Sequence, residues 1–270
     1  MKTSLVVRGV GLCILLLANV GCDGGGDEAG GPVAVAGSSG SGGSGGGAGG
    51  SGGGSGSGGG GTLPEGVALT PANGWVDGAS NTIGVQGAIF SYADDTSKAG
   101  PPALTDDFTG SKACMKGTAA KVNLTCTPRA GEDCYGMYWG AAIGLNLNQP
   151  IDTATGKGGT PAAYDAKSAG LSGFAFMVEG TTVPTGMRFK IEDGTTEYCT
   201  RAVKNIKTGA NIIHFSDLYT ECWKTTGQAS DAAGATSKII KIAWHVVTND
   251  SAAVPFDFCV SDIRALQPPN

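Results

Sequence analysis

Residues 137–148, MYWGAAIGLNLN, decide the fold. Met137, Trp139, Ala141, Ile143, Leu145 and Leu147 fall on one side of a pleated strand. Tyr138, Gly140, Ala142, Gly144, Asn146 and Asn148 fall on the other. A period of two is that of a β-strand with one buried face. The same pattern recurs where Met187, Phe189 and Ile191 alternate with Arg188, Lys190 and Glu192. It recurs again where Ile240, Ile242, Trp244 and Val246 alternate with Lys241, Ala243, His245 and Val247. Val254, Phe256, Phe258 and Val260 likewise alternate with Pro255, Asp257, Cys259 and Ser261. Further strands are predicted over 85–93, 111–122, 170–179, 198–203 and 210–215, with one short helix over 216–223. Many short strands parted by Gly, Pro, Asn and Asp predict an all-β, two-sheet jelly-roll sandwich.

That sandwich occupies 63–270. Every aromatic residue lies beyond Leu63, so any packed core must be there. Residues 24–62 are almost wholly Gly, Ser and Ala and cannot bury enough apolar surface to fold. Such a chain behaves as a coil with a mean span of about 35 Å. Ahead of it, Lys2 and Arg8 precede an apolar run, GVGLCILLLA (9–18), then small residues and Cys22. This order is that of a secretory signal peptide over 1–21, too short to remain as a membrane span. Gly21-Cys22 resembles a bacterial lipobox, although Asn19 stands where Leu is usual. The resemblance implies lipidation of Cys22 and a flexible linker over 22–62. The chain is thus expected to be exported and held at the cell envelope by a lipid anchor.

Composition narrows the partners. The formal net charge is −5, with no basic stripe to neutralise phosphates, so nucleic acid is not expected. The chain holds 8 Cys. Cys13 leaves with the leader and Cys22 is the anchor. Cys114, Cys126, Cys134, Cys199, Cys222 and Cys259 remain, an even set that implies three disulfides in an oxidising compartment. The sequence does not select among the possible connectivities. Cys199–Cys222 is the first pairing to expect, from proximity. Cys114–Cys134 could enclose Cys126, leaving Cys126 for Cys259. No CxxC occurs and there are only 2 His, which argues against zinc.

The last two strands, KIIKIAWHVV (238–247) and VPFDFCVSDIRAL (254–266), resemble the C-terminal part of galactose-binding-like jelly rolls, among them carbohydrate-binding modules. Those carry F-D-F-x-I-D-D-I. Phe256, Asp257, Phe258, Val260, Asp262 and Ile263 match it, and Ser261 replaces an acidic residue. Residues 74–94, 138–148 and 170–180 are similar to domains of secreted myxobacterial proteins. The chain is expected to be a monomer, and the resemblance implies a sugar-binding or surface-binding role rather than catalysis, with a polysaccharide or glycan as partner. It also implies a structural calcium near Asp262, for which Asp77 is a second candidate ligand.

Aromatic faces, amides and charges recognise sugars. The candidate ligand-binding residues are therefore Tyr138, Asn146, Arg188, Lys190, Glu192 and His245 on the polar faces, with Trp223, which has no assigned face. Trp139 and Trp244 are expected in the core. Two other functions remain open, a surface adhesion protein with a protein partner and a small exported hydrolase. The second is disfavoured. His214, Ser216 and Asp217 are adjacent in sequence, which is not triad geometry, and no G-x-S-x-G is present. Glu179, Glu192, Asp193 and Glu197 read as solvated sheet-face carboxylates rather than a glycosidase pair.

Overall fold

The computed structural model describes residues 62–268 apart from 129, 131 and 132. The leader, Cys22 and nearly all of the linker lie outside the described residues. In chain order the first strands are β1 (Val67–Ala68), β2 (Pro71–Ala72), β3 (Trp75–Val76), β4 (Gly87–Ala93), β5 (Thr105–Asp107), β6 (Ala113–Ala119), β7 (Gly140–Asn146) and β8 (Ile151–Asp152). They continue as β9 (Lys157–Gly158), β10 (Gly173–Thr182), β11 (Arg188–Glu192), β12 (Glu197–Thr200), β13 (Gly209–His214), β14 (Leu218–Tyr219), β15 (Lys241–Val247) and β16 (Val254–Leu266). Among the described residues the longest α-helix has 5 residues, Asp95–Ala99.

Two large antiparallel sheets result, with β8 and β9 forming a separate two-stranded pair. One has the order β13-β10-β16-β6-β5, with β1 also on β16. The other runs β14-β12-β11-β15-β7-β4-β3-β2. The chain crosses between them from β6 to β7, from β7 by way of β8 and β9 to β10, from β10 to β11 and from β15 to β16. This is the all-β sandwich that the alternation predicts. Its core is aromatic at the centre. Phe176 stacks on Phe189 at 5.4 Å and meets Trp244 edge-on at 5.4 Å. Ile143, Leu145, Ile191, Ile242, Phe256 and Phe258 complete the layer, all fully or almost fully buried.

Four readings need correction. Trp139 is half-buried on the outer face of the eight-stranded sheet, not in the core. The cause is Gly140, at φ 111, where a Cβ would lie 2.0 Å from the Val246 carbonyl oxygen. That left-handed backbone resets the phase, so the core side of β7 begins at Ala141. Second, residues 216–223 are not a helix. A 3-10 turn, Phe215–Asp217, leads directly into β14. Its Asp217 carboxylate accepts the His214 backbone N–H at 3.0 Å, so it serves as a cap. Third, Ile239 rather than Ile240 takes the buried place ahead of β15.

The fourth concerns Asp262. Ala175 pairs with Arg264 and Met177 with Ser261, so Asp262 and Ile263 together oppose Phe176. This is a β-bulge, with Asp262 at φ 46. The bulge returns Ile263 to the core and leaves the Asp262 carboxylate exposed, with two hydrogen bonds of 2.9 Å from Arg264. Parity continued from Val260 would bury Asp262, and the bulge puts it in solvent instead. Asp77 is also exposed and accepts the Ala79 N–H at 3.0 Å. Among the described residues no three His, Cys, Asp or Glu side chains are grouped to hold a metal ion.

The disulfides are Cys114–Cys259, Cys126–Cys134 and Cys199–Cys222. The last is the pairing expected from proximity. Cys114–Cys134 and Cys126–Cys259 are not formed. Cys114 and Cys259 are directly opposed on neighbouring β6 and β16, a register that sequence spacing does not reveal.

Candidate functional site

The outer face of the eight-stranded sheet is built over small residues. Tyr92, Ala142, His245 and Arg188 lie in one row across β4, β7, β15 and β11. Phe90, Gly144, Ala243 and Lys190 form the next. A Cβ on Gly144 would sit 2.9 Å from Phe90 Cζ and 3.2 Å from Tyr92 Cε1, so both rings lie down onto that glycine. From there an aromatic chain runs along the face. Phe90–Tyr92, Tyr92–Trp139 and Trp139–His245 have ring centroids 5.6, 5.4 and 5.7 Å apart. Such offset, tilted contacts are favourable for aromatic pairs.

Backbone contacts fix Trp139 in this chain. The His245 ring nitrogen Nε2 lies 2.7 Å from the Trp139 carbonyl oxygen. A carbonyl only accepts, so His245 carries its proton on Nε2. The Thr248 hydroxyl bonds the Tyr138 carbonyl, and Gly140 N–H donates to the buried Asp94 carboxylate at 2.6 Å. Burial, then the Lys190 and Arg188 charges, hold the His245 pKa well below the ordinary histidine value. His245 is therefore neutral near pH 7 and acts as a fixed donor.

Charges on the middle of the face satisfy one another. Lys190 Nζ lies 2.7 Å from Glu197, and Lys241 Nζ lies 2.9 Å from Glu192. The Tyr92 hydroxyl donates to Glu192 at 3.2 Å, and Lys241 Nζ sits 4.4 Å from the Tyr92 ring centroid. Burial, with the charges of Glu192 and Glu197, raises the Tyr92 pKa far above its ordinary value, so the phenol stays neutral.

At the end of this face the surface opens into a cleft of about 650 Å³, lined among others by Tyr135, Trp139, Arg188, Glu197, Trp223 and His245. Two walls are exposed aromatic rings, Trp223 at 64% and Tyr135 at 46%. Each directly follows a disulfide cysteine. Cys134, bonded to Cys126, precedes Tyr135, and Cys222, bonded to Cys199, precedes Trp223. Cys199 lies opposite Lys190 in the sheet, so that bridge draws the 220–227 loop over the outer face.

Of the sequence-selected residues, the cleft brings together Arg188, Trp223 and His245. Lys190 and Glu192 share the face but are held in the ion-pair network. Asn146 is buried and donates to Gln149 at 3.0 Å. Tyr138 is half-buried and does not line the cleft. Sequence reasoning missed Trp139, Tyr135, Glu197 and the Phe90–Tyr92 pair. The alternation over 87–93 would have placed Phe90 and Tyr92 together on one face, but not over β7.

No protein-family model matches the chain, and a search of curated proteins finds no match. Among solved structures, a family 11 carbohydrate-binding module from a cellulosomal cellulase of Clostridium thermocellum matches at 12% identity. The match covers 67% of this chain and 88% of that one, with a TM-score of 0.39. A fragment comprising domains C and D of a second protein matches at 14% identity, over 75% and 66% of the two chains, with a TM-score of 0.31. A protein solved with a xylogluco-oligosaccharide matches at 15% identity, over 75% and 39%, with a TM-score of 0.29. At these scores the likeness carries no functional argument, and the site has to be read from its own chemistry.

Proposed function

We propose that the sandwich is a non-catalytic polysaccharide-binding module whose ligand lies in the cleft between Trp139 and Trp223. The observation that carries this reading is the pair of exposed aromatic rings, Trp223 and Tyr135, standing over a floor of Trp139 and neutral His245. Sugar rings present C–H faces that stack on aromatics, while their hydroxyls need fixed donors and acceptors. The cleft supplies both. An aromatic ring left 64% in water, beside a disulfide that holds its loop, contributes little to folding. Its position makes sense as a pre-organised contact surface.

The wider setting belongs to the same reading. A lipidated Cys22 and a Gly/Ser linker would hold the module at the cell envelope while letting it sample polymer nearby. Ligand binding involves no reaction, so the carboxylates at the cleft need no catalytic role.

The test is retention on a panel of soluble and insoluble polysaccharides. The wild-type domain should bind at least one of them. Trp223→Ala should weaken that binding by about tenfold or more, equivalent to roughly 1.4 kcal/mol. Its unfolding midpoint should stay close to wild type, because exposed substitutions typically change stability by about 0.5 kcal/mol or less. Retention unchanged in Trp223→Ala would remove the cleft from consideration.

A further inference from the structure

A neutral polysaccharide needs stacking surfaces and hydroxyl partners. It does not need a guanidinium held partly out of water. Arg188 supplies one at the cleft, beside His245 in the sheet. The neighbouring charges on the face are matched, Lys190 to Glu197 and Lys241 to Glu192. Among the described residues no carboxylate pairs with Arg188, and no side chain accepts a hydrogen bond from it. Burial lowers its pKa without an offsetting acid, and its charge helps keep His245 neutral. Two carboxylates do line the cleft, but each has a local partner. Glu197 is bound to Lys190, and Asp133 accepts the Gly136 N–H at 2.8 Å.

A half-buried cation with no acidic partner among the described residues is an unfavourable feature. It becomes favourable when an anion of matching shape arrives. Arginine's planar fork meets a carboxylate with two parallel hydrogen bonds. Resting on the polysaccharide reading above, we infer that the cleft selects a glycan bearing uronic acid residues. Arg188 takes the sugar carboxylate, and Trp139 and Trp223 take the apolar face of the same or the adjoining ring. The chain's net charge of −5 offers no long-range attraction to a polyanion. Selectivity therefore comes from this contact and not from the overall field.

Affinity electrophoresis of the protein tests this, using gels that contain polygalacturonate or alginate, each as the free acid and as its ester, or a neutral β-glucan. The expected result is binding to at least one free acid, at least tenfold tighter than to its ester or to the neutral glucan. Arg188→Gln should erase that preference, and Arg188→Lys should keep part of it. Tryptophan fluorescence confirms folding of both variants, and the acid–ester comparison needs only the wild-type protein. If esters or neutral glucan bind as tightly as the acids, or if the preference survives in folded Arg188→Gln, the uronate inference falls and carbohydrate binding stands. If no polysaccharide of either kind is retained, both fall.

Discussion

Phe189→Ala is expected to lower the stability of the domain by about 3–5 kcal/mol in urea unfolding. Phe189 is fully buried, and its ring lies 5.8 Å from Phe174, 5.4 Å from Phe176 and 6.0 Å from Trp244. Phe174 and Phe176 come from the six-stranded sheet, and Phe189 and Trp244 from the eight-stranded one. Truncation would open a cavity at the centre of the contact between the sheets, where the backbones of two hydrogen-bonded layers cannot readily collapse inward. The neighbouring residue on β11 is Arg188, so loosening this layer also loosens the cleft floor. A loss below about 1 kcal/mol would mean that the core is not packed as described.

Replacing both Cys114 and Cys259 with serine should cost about 3–5 kcal/mol. The bridge joins residues 145 apart in sequence, and it ties β16 to β6. Cross-linking distant residues removes the most freedom from the unfolded chain. The Cys126–Cys134 bridge spans only 8 residues and should contribute about half as much by the same reasoning. Thermal or urea unfolding of the two double variants checks the ordering. Equal losses, or a larger loss for Cys126–Cys134, would contradict it. The short bridge has a different consequence, since it positions Tyr135 at the cleft.

Local alternation was sufficient to read most of the sandwich. Parity alone places Leu145, Phe189, Ile242 and Phe258 in the core, and each is fully buried. Parity failed where the backbone changes phase. Gly140 turned Trp139 outward, and the bulge at Asp262 moved a carboxylate into solvent. Neither event is visible in a count of odd and even positions. Spacing gives Cys199–Cys222 but not the other two bridges, for a related reason, because Cys114 and Cys259 meet only once β6 and β16 are neighbours. In the site, Arg188 and His245 were legible because they sit on regular strands of known face. Their use was not. The ion pairs that occupy Lys190 and Glu192, and leave Arg188 without one, depend on which strands flank β11. Trp223 lies in a loop and Tyr135 in a single helical turn, Cys134–Met137, both placed by disulfides, where periodicity says nothing.

The measurement that bears most directly on the cleft is a crystal structure of the domain with a bound oligosaccharide from the polymer it retains. A sugar ring should lie within about 4 Å of the Trp139 and Trp223 rings, with its polar groups toward Arg188 and His245. An oligosaccharide seated on the six-stranded sheet, or anywhere that leaves both tryptophans untouched, would contradict the assignment.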